Sequence, residues 1–221
     1  MNAILKAKKT QVEMVHDRGF QLPPEEQFVL SMDVAALASK SNDIVAAREF
    51  KKQVKKLKKL DLNQRYVKRG DDNTTLIVHY CVEDKLINSV KQFVKQMATN
   101  THGIIISNED DFKKLSQKQY QDELSKIQLK ECQVFTFDEL SFNVLKHVYQ
   151  STFEQVQPSL IIPSIANASQ LPMFLKNDPI VRYYNWPVGS VIKVTDTLYL
   201  DTLVDQRIDF MIVSNHVKIY K

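Results

Sequence analysis

Asp72, Glu83 and Lys85 stand in the order and rough spacing of a metal-dependent nuclease centre. In such a centre two carboxylates hold magnesium and a lysine steadies the attacking water. Local context favours a plainer role: Asp72 falls in a turn-rich stretch between two strand patterns, and Glu83-Asp84 precede a helix pattern whose N-terminal dipole attracts acidic side chains. Short acidic patterns also arise easily by chance. The histidines, at positions 16, 79, 102, 147 and 216, share no i, i+4 pair and no Cys/His ligand spacing, so they read as ordinary core or surface imidazoles. G-x-S-x-G, P-loop and G-x-G-x-x-G strings are absent, and four glycines leave little material for a phosphate cradle. Cys81 and Cys132 lack CxxC spacing and lie in apolar strand patterns, which marks them as reduced, buried thiols. No catalytic residue, metal or cofactor is expected.

Charge offers a second kind of chemistry. With 30 Lys and Arg against 26 Asp and Glu, a net charge of +4 and a pI near 8.9, the chain permits a polyanionic partner without demanding one. The excess is concentrated in Arg48–Lys59, REFKKQVKKLKK, where Phe50, Val54 and Leu57 recur at helical spacing and leave Lys51, Lys52, Lys55, Lys56, Lys58 and Lys59 on the remaining surface. A solvated face is the commoner use of such a stripe; a phosphate-facing role is the other. No aromatic residues interleave with the lysines, which argues against single-strand stacking. Trp186 and Tyr183-Tyr184 flank a tight turn and suit core or interface anchors better than base stacking.

The elements that must position these residues follow from periodicity. Asn2–Arg18 predicts a helix with Ile4, Leu5, Val12 and Val15 inward and Gly19 as its C-terminal cap. Pro24-Glu25-Glu26 opens a short helix, and Asp33 caps another through Ser39. Gln64–Lys68 and Thr74–Val82 read as strands of a hairpin joined by Arg69–Asn73. Thereafter helix Lys85–Met97, strand Gly103–Ser107, helix Asp110–Ile127, strand Cys132–Phe137 and helix Phe137–His147 alternate, which predicts a three-layer α/β domain with parallel strands. Pro158 and Pro163 interrupt the next apolar segment. Apolar runs are too short to span a bilayer, and MNAILKAKKT lacks the apolar region of a secretory signal.

One stretch organises the C-terminal third: Ser169–Thr195, SQLPMFLKNDPIVRYYNWPVGSVIKVT. The X-Pro steps at Pro172 and Pro179 favour extended backbone before them, so Gln170–Leu175 reads as an extended entry. Asp178 then caps a helix beginning at Pro179 and running to Tyr184, with Ile180, Val181 and Tyr184 inward. A turn with Gly189 follows, and Val191-Ile192-Lys193-Val194 opens a strand whose Lys193 faces water.

This succession resembles the assembly domain of the fifth common subunit of nuclear RNA polymerases, a family that includes a shorter archaeal counterpart. The shared features are Gln170-Leu171-Pro172, Asp178-Pro179, Arg182-Tyr183-Tyr184, Gly189 and Val191-Ile192-Lys193, in the same order and at similar spacing. At the opposite end, Glu13-Met14, Asp17-Arg18-Gly19 and Phe20 resemble the opening of the eukaryotic, two-domain form. The family's Arg-Pro-Ser loop and Gly-Arg-Tyr turn are replaced by DTLYLDTLVDQRIDFMIV, in which Arg207, Ile208, Phe210 and Ile212 keep the closing strand.

The resemblance implies an α/β N-terminal jaw domain over residues 1–144, a three-layer fold like that of restriction endonucleases, and a small α+β assembly domain over 145–221. It implies a divergent member that works as a non-catalytic subunit of a multisubunit DNA-directed RNA polymerase. Its partners would be the largest subunit, other polymerase subunits and downstream duplex DNA held without base reading; no membrane or small-molecule substrate is implied. Docking candidates are Leu171, Pro172, Asp178, Pro179, Ile180, Tyr183, Tyr184, Gly189, Lys193 and Arg207; DNA-proximal candidates are Lys51, Lys52, Lys55, Lys56 and Lys59. The expected location is a nucleus, or a virion and host cytoplasm if the source is a large DNA virus. The alternative is a stand-alone DNA-binding or nuclease-like α/β protein.

Overall fold

Helix α1 (Ala3–Asp17) ends where the Asp17-Arg18-Gly19-Phe20 string directs. Gly19 adopts φ +83°, a left-handed setting that costs glycine nothing, and its N–H donates to His16 O at 2.9 Å while Phe20 N–H donates to Val15 O at 3.2 Å. The paired bonds form a Schellman cap. The exit is then tied to the neighbouring strand: Gln21 N–H donates to Val67 O (2.8 Å) and Arg69 N–H to Gly19 O (2.9 Å). A computed structural model describes residues 3–32, 52–82, 86–97, 101–115, 117–125, 132–147, 150–156, 171–200 and 203–215. The chain divides into two compact units, Met1–Phe142 and Asn143–Lys221.

In the first unit β1 (Gln64–Lys68) and β2 (Asp71–Tyr80) form an antiparallel hairpin; α2 (Leu86–Gln96) leads to β3 (Thr101–Ser107), and α3 (Glu109–Leu115) with α4 (Lys118–Ser125) leads to β4 (Cys132–Thr136). The sheet order is β1-β2-β3-β4, with β2, β3 and β4 mutually parallel. Strand alternation sends Ile77 and Ile105 to one face, where they pack with Leu86, Val90 and Phe93 of α2, Leu115 of α3 and Tyr120 of α4. Tyr66 and Tyr80 point to the opposite face, beneath α1. Helices therefore cover both faces of a mixed sheet. A second cluster, Leu5, Val12, Val29, Met32 and Leu57, joins α1 to the 3₁₀ turn Gln27–Val29 and to the helical residues 52–57.

Several boundaries differ from expectation. The hairpin turn shrinks to Arg69-Gly70, because Gly70 accepts φ +75° and Asp71 pairs with Lys68. The helix foreseen over Asp110–Ile127 is broken in two after Leu115. Phe137–His147 is not a helix. Thr136 and Glu139 exchange capping bonds, Thr136 N–H to Glu139 Oε2 at 2.8 Å and Glu139 N–H to Thr136 Oγ1 at 3.1 Å, yet only one turn forms. Asn143, in extended backbone, then caps a separate 3₁₀ turn, Val144–Lys146, by accepting from Leu145 N–H at 3.0 Å. Pro24–Glu26 gives a turn and a 3₁₀ segment in place of an α-helix. The helix foreseen from Asp33, and residues Arg48 to Lys51, lie outside the described residues. Among those described, no helix is long and apolar enough to cross a membrane.

The second unit holds β5 (Thr152–Val156), β6 (Met173–Leu175), α5 (Pro179–Tyr184), β7 (Val191–Leu200) and β8 (Leu203–Ser214) in a sheet of order β5-β7-β8-β6. Strand β5 falls in a stretch that periodicity left unassigned; it pairs antiparallel with Val191–Thr195 of β7. Where the resembled family has a loop and turn after Thr195, β7 and β8 continue as one antiparallel ribbon to Leu200 and Leu203. The core of this unit is Phe174, Ile180, Val181, Trp186, Ile192, Val194 and Val213. Burying each such large apolar side chain is worth roughly 1.5–3 kcal/mol.

Candidate docking and nucleic-acid interfaces

In the second unit the sequence from Asp178 to Gly189 builds a small rigid corner. Asp178 accepts from Ile180 N–H at 2.8 Å, and Pro179 occupies the first helical position, where its missing donor costs nothing. Six residues later Asn185 takes a left-handed φ of 58°; Asn185 N–H donates to Arg182 O at 3.2 Å and Trp186 N–H to Val181 O at 3.2 Å, a second Schellman cap. Trp186 turns back over Tyr184, rings stacked with centroids 4.5 Å apart, and Tyr184 meets Tyr183 edge-on at 5.3 Å. Lys176 Nζ donates to Trp186 O at 2.8 Å, and Gly189, at φ +90°, donates from its N–H to Val213 O at 2.9 Å. The corner is thereby fastened to both β6 and β8.

Within this frame the ten docking candidates divide by burial. Pro172, Pro179, Gly189 and Arg207 are exposed, and Leu171, Asp178, Tyr184 and Lys193 are half-buried. Ile180 and Tyr183 belong to the unit's interior, at 8% and 3% exposure, so they shape the face from behind. Tyr183 replaces Tyr184 as the inward aromatic of α5, and its hydroxyl accepts from Asn143 Nδ2 at 3.3 Å. Lys193 is half-buried, not wholly in water, with Nζ 3.8 Å from Glu154. Arg207 Nε lies 2.8 Å from Asp209 Oδ2 at the surface.

In the first unit Lys52, Lys55, Lys56, Lys58 and Lys59 are all exposed on or just beyond the helical residues 52–57, while Leu57 is buried beneath them; Lys51 lies outside the described residues. Lys56 Nζ stands 5.8 Å from the Phe28 ring. Phe28, Lys56 and Lys59 line one open groove with Pro24, Glu25, Leu60 and Asp61. Asp72 is exposed on β2, whereas Glu83 and Lys85 fall outside the described residues. Among the described residues no group of three or more His, Cys, Asp or Glu side chains is placed to hold a metal ion. Cys81 and Cys132 are not joined in a disulfide; burial pushes the pKa of the Cys132 thiol up to about 12.

One polar constellation escaped the sequence reading. Lys8 and Glu26 are wholly buried, with Nζ 2.7 Å from Oε1. Tyr66 OH donates to the same carboxylate, 2.9 Å from Oε2, and accepts from Gln11 Nε2 at 3.1 Å. Burial lowers the Lys8 pKa, partly offset by Glu26, and raises that of Tyr66. The available signal was spacing: Lys8 sits between Leu5 and Val12 on the apolar stripe.

The profile of the RNA polymerase Rpb5 C-terminal domain matches residues 142–199, which begin within one residue of the second unit. A further comparison covers nearly everything: DNA-directed RNA polymerases IV and V subunit 5B of Arabidopsis thaliana is 25% identical over 215 residues, 94% of this chain and 88% of the plant protein. Both comparisons support an RNA polymerase subunit of the Rpb5 kind. Gly19 and Asn185 each end a helix in a left-handed setting, Gly19 within the Asp17-Arg18-Gly19 string and Asn185 directly after Arg182-Tyr183-Tyr184. The profile match stops at residue 199, near the ribbon's tip, and does not include β8.

Proposed function

We propose that this protein is a non-catalytic, Rpb5-type part of a DNA-directed RNA polymerase that docks on the largest subunit through residues 143–221 and flanks downstream duplex DNA with residues 1–142. The observation that carries the reading is the match of the C-terminal domain profile to residues 142–199. On this reading the first unit is the jaw, akin in layering to restriction endonucleases, and the capped corner at Asp178–Gly189 is the docking element. Pro179 and Tyr184 of the corner, with Leu171, Pro172 and Arg207 outside it, meet the partner, while Ile180 and Tyr183 hold the backbone in place. Lys52, Lys55, Lys56 and Lys59 supply phosphate attraction that reads no bases. Nucleotidyl transfer belongs to the large subunits, and the site of action is a nucleus.

Surface variants of the full chain separate the two roles. Leu171→Asp with Arg207→Glu is expected to cut recovery of the largest subunit at least tenfold in co-purification. The Lys52, Lys55, Lys56 and Lys59 to Glu variant is expected to leave recovery unchanged. In the assembled enzyme it should lower the slope of log affinity for duplex against log salt by up to about 4 units, near 0.9 per phosphate contact. Unchanged recovery in the first variant, with the chain still folded, refutes the assigned docking face; an unchanged salt slope in the second refutes the DNA assignment.

A further inference from the structure

Helix α1 poses a problem that apolar burial does not solve. Its residues Ala7 to Val15 are all buried, nine in succession, and include Lys8, Lys9, Thr10, Gln11 and Glu13. A helix with one apolar stripe has its rotation fixed by that stripe, because turning it exposes hydrocarbon to water. Here every face is covered. Successive residues are spaced about 100° around the axis, so a rotation by one residue exchanges one buried face for another. The Schellman exit at Gly19 holds the helix's last turn to β1, yet constrains its first half only through the length of the helix.

What distinguishes one rotation from its neighbours is where the buried polar groups find partners. Lys9 is satisfied within the helix, by Glu13, and so carries no information about the surroundings. Lys8 and Gln11 reach outward on the same face, Lys8 to Glu26 beside the 3₁₀ turn and Gln11 to Tyr66 on β1. Tyr66 then closes the set by donating to Glu26. The Tyr80 ring of β2 lies beneath, 6.0 Å from Lys8 Nζ, and Asp61 adds a favourable field. In any other rotation a buried ammonium and a buried carboxylate would each lose their counter-charge, which is far costlier than any mismatch of methyl groups.

We propose that the Lys8–Glu26 pair, with Tyr66 and Gln11, is a rotational lock that gives the N-terminal helix one setting on the sheet, and that this, not added stability, is its contribution. Buried ion pairs replaced by apolar side chains of similar volume often leave stability unchanged or raise it. The full chain carrying Lys8→Met with Glu26→Leu is therefore expected to unfold near the wild-type denaturant midpoint while its α1 loses a single setting. Amide hydrogen exchange read by mass spectrometry should show peptides from residues 7–15 exchanging at least tenfold faster, with peptides from β3 unchanged. The single variant Lys8→Met, which strands the Glu26 carboxylate, is expected to lower the midpoint. Wild-type protection of α1 in the double variant would overturn the proposal, since apolar packing would then set the rotation; so would equal midpoints for wild type, single and double variants.

Discussion

Gly103 on β3 is the tightest test of how the first unit is packed. A methyl group added there would lie 2.5 Å from Cζ of Phe93, 3.4 Å from its Cε2 and 3.1 Å from Cε of Met97. Carbon atoms do not approach so closely, and Phe93 is fully buried on α2 among Ile77, Val90 and Ile105, so the ring cannot swing away without displacing the helix. Overpacking of this kind costs about 1–3 kcal/mol. Taking about 2 kcal/mol and a urea dependence of about 2 kcal/mol per molar, Gly103→Ala should lower the midpoint of the first unit's transition by about 1 M. Relief should follow the clash: Phe93→Leu removes the offending ring edge, so the double variant is expected to be less destabilised than the sum of the singles by about 1 kcal/mol. Gly70→Ala is the control, because its methyl meets nothing within 4 Å and any cost arises from φ +75° alone. A Gly103→Ala midpoint within about 0.2 M of wild type would refute the account of α2 packed on β3.

Two further outcomes test other parts of the frame. Asp178→Ala removes the cap of α5 and is expected to cost about 1 kcal/mol, lowering the second unit's melting temperature by about 5 °C, whereas Asp178→Asn, which still accepts from Ile180 N–H, should stay near wild type. Tyr66 has its folded-state pKa raised by burial and then by Glu26, so below the ordinary value of 10.0 it leaves stability independent of pH. Above pH 10 the unfolded chain ionises first and stability falls. Tyr66→Phe should therefore make the alkaline loss shallower by about 1.4 kcal/mol per pH unit, measured as the midpoint in urea between about pH 10 and 11.5. An identical alkaline slope in the two proteins would contradict the burial of that hydroxyl.

The C-terminal element was legible because its signals are local. Asp178 before Pro179 specifies a cap, and the helix runs over the residues those two fix. Gly19 announced its helix end for the same reason. The alternation of helix and strand from Leu86 to Thr136 was legible too, apart from the division of the second helix into Glu109–Leu115 and Lys118–Ser125. What failed were decisions made by tertiary partners. Thr136–Glu139 has a helix-starting string, but Asn143 caps a new turn and the helix never extends. Strand β5 has no strong strand pattern and is defined by its pairing with β7. Tyr183 and Tyr184 are adjacent aromatics, and tertiary contacts such as the bond from Asn143 and the stacking on Trp186 decide which turns inward. The Lys8–Glu26 pair joins two separate elements, and among the lysines of α1 it is the spacing of Lys8 from Leu5 and Val12 that marks a buried position, while nothing local marks Glu26 as its partner.

The central claim, that this chain is a polymerase subunit without chemistry of its own, is tested most directly by purifying the tagged full chain from its native cells and identifying its stoichiometric partners. The account predicts recovery of the two large subunits of a DNA-directed RNA polymerase, with transcription activity present in the complex and lost from the chain once it is stripped free. Recovery without polymerase subunits, or magnesium-dependent DNA cleavage by the stripped chain, would contradict it.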